Sequence, residues 1–215
     1  MNNTHPVIHT SLNEEDWQRL RSSRFTASEI HKLMGTPKNK SEFLSETAKS
    51  FVFEKAAEYL TGAKSEIYGR ALDWGKEHEK EAFHYFSQQT DEFFTYYGAE
   101  TYTFITYGEW GGYSPDALGH QLVEIKCPFN SGNHLQNFFI KNNEQLKSKR
   151  TEYFWQMQMG MIATGLEEGL FVSYDPRMPI GKKLTTTLIT LEEDIQEIID
   201  EKLTYAGELF LSITK

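Results

Sequence analysis

A chain of 215 residues, 39% hydrophobic, 14% aromatic and 25% charged, is long enough for one domain with a sizeable core. Its net charge of −9 excludes indiscriminate binding along nucleic acid through overall basicity and leaves only a local basic groove for that purpose. No apolar run approaches the roughly 18 residues that cross a bilayer, the opening MNNTHPVIHT lacks the regions of a secretory signal, and a single cysteine, Cys127, rules out an internal disulfide or thiolate metal cluster. The expectation is one domain over residues 1–215, in the cytosol and away from membranes.

In chain order, a short helix is predicted from about Asn13 to Arg21. It overlaps RLRSSR, where Arg19, Arg21 and Arg24 have no acid among them. TASEIHKLMG should form a second helix, because Thr26 and Glu29 have capping-box spacing and Gly35 supplies a stop. Helices are also expected from about Thr47 to Leu60, ending before Gly62, and from about Gly69 to Gln88. In the latter, Leu72, Gly75, Glu79, Ala82, Phe83 and Phe86 share one stripe. Glu79 is the anomaly, since a charge in an apolar stripe is seldom buried without a partner.

EFFTYY and TYTFITY are rich in aromatic and β-branched residues and read as strands. They lead into GGYSPDALGHQLVEIKCPF, a hairpin. KNNEQLKSKR follows, with Lys141, Lys147, Lys149 and Arg150 against one glutamate; such a run is a solvated face or one wall of a basic groove. TEYFWQMQMGMIATG is a nearly all-apolar helix, hence buried on most sides. GLFVSYD and KLTTTLIT form a strand pair around PRMPIG. A last helix opens with Thr190 and Glu193 at capping-box spacing and turns Ile195, Ile198, Ile199, Leu203, Ala206 and Phe210 inward. The order of elements predicts an α/β (α+β) fold, a central mixed sheet flanked by helices.

The hairpin carries the chemistry. Alternation puts Val123, Ile125 and Cys127 on one face and Glu124 and Lys126 on the other. A three-residue loop at Gly119, His120 and Gln121 pairs Leu118 with Leu122 and sets Asp116 opposite Glu124. Like charges so placed repel by about 4 kcal/mol at about 4 Å and an effective dielectric near 20, so the pairing calls for a cation. Lys126 supplies part of it and a metal ion could supply the rest. Pro-Asp, a gap, then Glu-x-Lys fits the core of the PD-(D/E)xK nucleases, although a salt-bridged exposed hairpin satisfies the same spacing. Phosphodiester cleavage needs a hard divalent ion held through oxygens. Asp116, Glu124 and the Ile125 carbonyl can provide them, with Glu79 completing the shell or holding a second ion. Lys126 would orient or help deprotonate the attacking water and stabilise charge on the phosphoryl oxygens.

WQRLRSSRFTASEIHKLMG, ALDWGKEHEKEA, YSPDALG, VEIKCPF, YFWQMQM and YDPRM resemble, in that order, the successive motifs of the phage lambda exonuclease family, the YqaJ-type viral recombinases or alkaline exonucleases. The motifs span residues 17 to 178. The resemblance implies a restriction-endonuclease-like core and a magnesium-dependent, processive 5′-to-3′ double-strand DNA exonuclease, with manganese as a substitute ion and a two-ion site. It further implies a homotrimeric ring around DNA ends, a single-strand annealing protein as partner in recombination, and a phage or prophage gene expressed in a bacterial cytosol. It assigns Asp116 and Glu124 as metal carboxylates, Lys126 as the catalytic lysine, Glu79 as the helical glutamate, and Tyr153 and Gln156 as the polar pair on the following helix. Arg21, Ser28 and Ser114 match residues that hold the 5′-terminal phosphate. Gly132 stands where the family has a further arginine, and His134, two residues on, is the candidate substitute. An endonuclease of the same fold and a non-catalytic DNA-binding ring subunit are the alternatives.

Overall fold

The computed structural model describes residues 6–62, 69–98 and 101–215. In chain order the elements are β1 (Val7–His9), α1 (Glu14–Ser22), β2 (Phe25–Thr26), α2 (Glu46–Thr61), α3 (Arg70–Ser87), β3 (Thr95–Tyr96), β4 (Phe104–Tyr107), β5 (Gly111–Tyr113), β6 (Ala117–Leu118), β7 (Leu122–Lys126), α4 (Ser131–Asn137), α5 (Asn143–Lys149), α6 (Thr151–Thr164), β8 (Glu168–Tyr174), β9 (Leu184–Thr190) and α7 (Ile195–Thr214). The mixed α/β class is as predicted, but the strands divide between two sheets. One runs β1-β4-β5-β2 and the other β3-β6-β7-β8-β9. The chain passes from the first to the second between β5 and β6, across Ser114, Pro115 and Asp116.

β7 and β8 are parallel, so the chain must cross over between them, and α4, α5 and α6 make that crossover. β7 is buried on both faces. Leu122 joins the main core with Phe25, Phe51, Tyr113, Met157, Met159 and Phe210, whereas Val123, Ile125 and Cys127 pack under α3 with Ala82, Phe83 and Phe86. The predicted alternation therefore holds, and it turns Glu124 toward α6.

Local signals fix most helix ends. Asn13 caps α1 by accepting the Asp16 N–H, Ser45 caps α2 by accepting the Ala48 N–H, and Gly62 ends α2 at φ 65°, a left-handed conformation that glycine reaches without a steric cost.

Several expectations fail for identifiable reasons. TASEIHKLMG is not an α-helix: Phe25 and Thr26 pair in parallel with Gly111 and Gly112, and only a 3-10 turn at Ile30–Lys32 follows. Thr26 bonds the Ser28 hydroxyl at 3.2 Å instead of capping, and Glu29 binds Lys32 at 2.8 Å. The Thr190–Glu193 capping box is also absent. Thr190 stays in β9 and gives its N–H to Asn143 Oδ1, and α7 starts after Asp194 at φ 62°. Ile198 and Leu72, both assigned inward, are exposed. Of EFFTYY, only Thr95 and Tyr96 are strand.

Candidate active site

The β6–β7 hairpin has the predicted register, Leu118 opposite Leu122 and Ala117 opposite Val123. Asp116 lies one residue before that ladder begins. Its carbonyl accepts the Tyr97 N–H at 2.7 Å, which draws the backbone toward β3. Its carboxylate fills the gap so opened, and Oδ2 accepts the Ile125 N–H at 2.7 Å. In an extended strand the N–H and C=O of one residue point to the same side, so the Ile125 carbonyl is directed to the Asp116 side of β7.

Glu124 is fully buried and its oxygens are heavily used. Oε1 accepts Lys126 Nζ at 2.6 Å and Gln156 Nε2 at 2.5 Å, and Oε2 accepts the Tyr113 hydroxyl at 3.1 Å. Lys126 Nζ also donates to Gln156 Oε1 at 3.1 Å and sits 5.0 Å from the centre of the Tyr153 ring. The apolar helix α6 thus delivers both polar residues expected of it. From α3, Glu79 Oε1 accepts the Tyr96 hydroxyl at 3.0 Å. The sequence reading missed Tyr96 and Tyr113. The signal for Tyr113 is a tyrosine three residues before Asp116; for Tyr96 it is only an aromatic run.

Electrostatics match a cluster built around a cation. Burial, then the negative charges of Glu124 and Glu79, push the Asp116 carboxyl well above the usual aspartate range. Burial opposes the Lys126 ammonium, but Glu124 and Asp116 outweigh it and hold it above the ordinary lysine value. Lys126 is therefore held as a cation in the folded chain. Burial and the charges of Glu79 and Asp116 also raise the Cys127 thiol, which keeps it a neutral core residue.

Among the described residues, no group of three or more His, Cys, Asp and Glu side chains is gathered as an ion cage. What is present is an all-oxygen set, the fully buried Glu124 carboxylate and the half-buried Asp116 carboxylate with a strand carbonyl beside them. That set fits an ion that keeps several waters and takes only one or two carboxylates, as magnesium does.

A second cluster lies beside the first. Arg21 Nη1 donates to Ser114 Oγ at 3.0 Å, its guanidinium stacks 4.3 Å from the Trp17 ring, and its buried Nε has no partner. Burial lowers the Arg21 pKa, opposed by Glu29. Since Thr26 pairs with Gly112 in parallel register, Ser28 and Ser114, each two residues on, emerge at the same end of that sheet. Lys55, also missed in the sequence, is buried and reaches the Arg21 carbonyl at 3.3 Å and Glu58 at 3.2 Å.

His134 does not belong to this cluster. It is fully buried, with Nδ1 bonded to Ser173 Oγ at 2.9 Å and Nε2 to the Lys182 carbonyl at 2.8 Å. With both nitrogens committed it locks α4 to β8 and has none to give a phosphate. The basic run is also largely engaged. Lys147 pairs with Glu192 at 3.3 Å, and Arg150 binds Asn137, Asn133 and Gln136.

A family model described as the YqaJ-like viral recombinase domain matches residues 16–167. Among solved structures, the alkaline exonuclease LHK-Exo from Laribacter hongkongensis is 29% identical over 93% of this chain and 94% of its own, with a TM-score of 0.71. LHK-Exo in complex with dAMP is likewise 29% identical over 93% and 94%, with a TM-score of 0.70. A phage related exonuclease from Haemophilus somnus 129PT shares the fold at 19% identity, covering 91% of this chain and 96% of its own, with a TM-score of 0.75. No curated protein matches the chain. No helix among the described residues is long and apolar enough to cross a membrane.

Proposed function

The chain belongs to the YqaJ-like viral recombinase family, and on that footing we propose that it is a magnesium-dependent exonuclease that degrades one strand of duplex DNA from its 5′ end. The carrying observation is the joint anchoring of Glu124, Lys126 and Gln156 beside Asp116, where β6 and β7 separate. The likeness to LHK-Exo, an alkaline exonuclease also captured with dAMP, supports DNA as the substrate.

Asp116, Glu124 and the Ile125 carbonyl would hold magnesium, with manganese as a substitute and Glu79 completing the shell or serving a second ion. The bound ion supplies Lewis-acid polarisation of the phosphoryl group and a more acidic water. Lys126, kept protonated by Glu124 and Asp116, orients the attacking water and offsets charge growing on the phosphoryl oxygens. Gln156 and Tyr153 fix the lysine. Water attacks the phosphorus and the bond to the 3′ oxygen breaks, so the terminal nucleotide leaves with its own 5′-phosphate and a new 5′-phosphate end remains. Arg21, Ser28 and Ser114 would grip that end through charge-assisted and hydroxyl hydrogen bonds. Because each cut regenerates the same end group, the pocket suits repeated cycles that leave a 3′ single-stranded tail, the substrate of a strand-annealing partner. A homotrimeric ring around the duplex would retain the DNA between cycles.

Linear 5′-phosphorylated and covalently closed circular duplexes, incubated with magnesium, test this reading. Loss of the linear DNA to mononucleotides with the circle intact is expected. Cutting of the circle would instead identify an endonuclease, and binding without cleavage a non-catalytic ring subunit.

A further inference from the structure

We propose that Lys55 is a positioning residue of the phosphate pocket: its ammonium neutralises the carbonyl end of α1 and so lets Arg21, on the last turn of that helix, receive a 5′-phosphate. The inference rests on the reading of Arg21, Ser28 and Ser114 as the grip on that end group.

A helix offers anions the free N–H groups of its N-terminus, whereas the unpaired carbonyls and the macrodipole make its C-terminus negative. Arg21 stands at the unfavourable end. It is the penultimate residue of α1, and its guanidinium stacks on Trp17 and donates to Ser114. Side chains cover the carbonyls of that last turn: the Ser22 hydroxyl donates to the Arg19 carbonyl at 2.9 Å, Arg24 to the Leu20 carbonyl at 3.2 Å and Lys55 to the Arg21 carbonyl at 3.3 Å. Of these, Lys55 comes from another helix, α2, and is buried. It thus holds Arg21 at the backbone, while Trp17 and Ser114 hold the guanidinium.

A buried ammonium must offset its lost hydration, and Lys55 does so through the Arg21 carbonyl and through Glu58, one turn on, at 3.2 Å. An apolar side chain of similar length would fill the space without that cost. What it would not supply is positive charge at the pocket. That charge reaches the residues concerned: burial would raise the Glu29 carboxyl, but Lys32, Lys55 and Arg21 hold it below the usual glutamate range. Glu29 directly follows Ser28, so Lys55 and Arg21 act on the same side of the pocket.

Fluorescence anisotropy of short duplexes with an internal fluorophore, ending in a 5′-phosphate or a 5′-hydroxyl, tests this in chelator, where binding is read apart from cleavage. The full-length wild type is compared with Lys55→Met, Lys55→Arg and Glu58→Gln, each checked for folding by thermal unfolding. The wild type should bind the phosphorylated duplex more tightly. Lys55→Met should lower the hydroxyl-to-phosphate ratio of dissociation constants by about tenfold, within the range produced by a charge at a partly buried helix end. Lys55→Arg should restore most of the ratio, and Glu58→Gln, which leaves the ammonium uncompensated, should raise it. A role confined to packing would weaken binding of both duplexes alike and leave the ratio in place. A ratio in Lys55→Met within about twofold of the wild type, or one as low in Lys55→Arg as in Lys55→Met, overturns the proposal and leaves the phosphate pocket standing. If Lys55→Met does not fold, Glu58→Gln decides, and an unchanged or lowered ratio there overturns the proposal. Equal affinities of the wild type for both duplexes would remove the pocket and this inference together.

Discussion

Asp116 is held where an aspartate is least comfortable without a counter-ion. Its carboxyl is raised in the folded chain by burial and by Glu124 and Glu79, so the folded state binds the proton more tightly than the unfolded state. The stability from this group is therefore fully present below the ordinary aspartate value of 3.8 and is lost as pH rises toward the raised folded value. The loss is at most about 1.4 kcal/mol per pH unit. Chelator-treated wild type should melt lower at pH 8 than Asp116→Asn, and the gap should narrow toward pH 4 or on adding magnesium to the wild type. Lys126→Ala should lower turnover by at least about 10²-fold, as loss of a fixed transition-state cation does, while DNA binding measured by anisotropy persists. At the neighbouring pocket, Arg21 has an unpartnered buried Nε and a guanidinium braced by Ser114 and Trp17, an arrangement that gains from an arriving anion. The wild type should digest 5′-phosphorylated ends faster than 5′-hydroxyl ends, and Arg21→Ala should erase most of that difference; equal rates for the wild type would remove the phosphate assignment and leave the metal site untouched. His134 adds nothing to this preference, because Ser173 and Lys182 occupy its nitrogens.

Beside their apolar packing, the elements at the site are fastened by polar joints, and Arg177 is one of them. It follows β8, binds Asp175 through Nε and Nη2 at 2.8 Å each, and donates to the Phe129 carbonyl at 2.9 Å. Its guanidinium also stacks 4.2 Å from the Trp74 ring on α3, the helix that carries Glu79. The exits of β7 and β8 and the start of α3 are thus fastened together beside Lys126. Burial would raise the Asp175 carboxyl, but bonds from Arg177 and Ser131 bring it down to about 2. That carboxylate contributes stability present above 3.8 and lost as pH falls toward 2. Arg177→Ala should cost about 2 kcal/mol in urea unfolding, less than the 3–5 typical of a broken fully buried pair, because the arginine side chain is 41% exposed. The acid-side dependence should flatten with it. Arg177→Lys should not restore stability, since an ammonium cannot make the paired bonds or the stack.

At the scale of the whole molecule, an acidic chain is proposed to enclose an acidic polymer. Lys147 is paired with Glu192 and Arg150 is consumed in holding α4, so the basic run offers a duplex chiefly Lys141 and Lys149. Closed cyclic assembly would multiply such sparse contacts by symmetry. Three chains of 25.0 kDa should sediment together at about 75 kDa, and a stable monomer at low salt would count against the ring and against repeated cycling without release. DNA retention should weaken steeply with salt if phosphate contacts carry it.

The sequence by itself determined whatever depends on short-range periodicity and chemistry. The α2 and α3 helices were legible from a glycine stop and an apolar stripe, the hairpin register from its loop length, and Asp116, Glu124 and Lys126 from spacing and alternation. The α3 stripe singled out Glu79, and the family resemblance matched it, added Tyr153 and Gln156, and pointed to Arg21 and the serines. Only the tertiary structure decided where long-range pairing overrules a local signal. Thr26 has a cap's spacing but a strand's partner, because a parallel ladder to Gly112 satisfies more backbone groups than one side-chain cap can. Thr190 is held in β9 for the same reason. His134 reads as a free donor until the folded chain brings Ser173 and Lys182 to both of its nitrogens. The bonds from Tyr96 to Glu79 and from Tyr113 to Glu124 join residues 17 and 11 positions apart on different elements. No periodicity within one segment encodes such contacts, since they exist only once the two sheets and α3 have closed around Asp116.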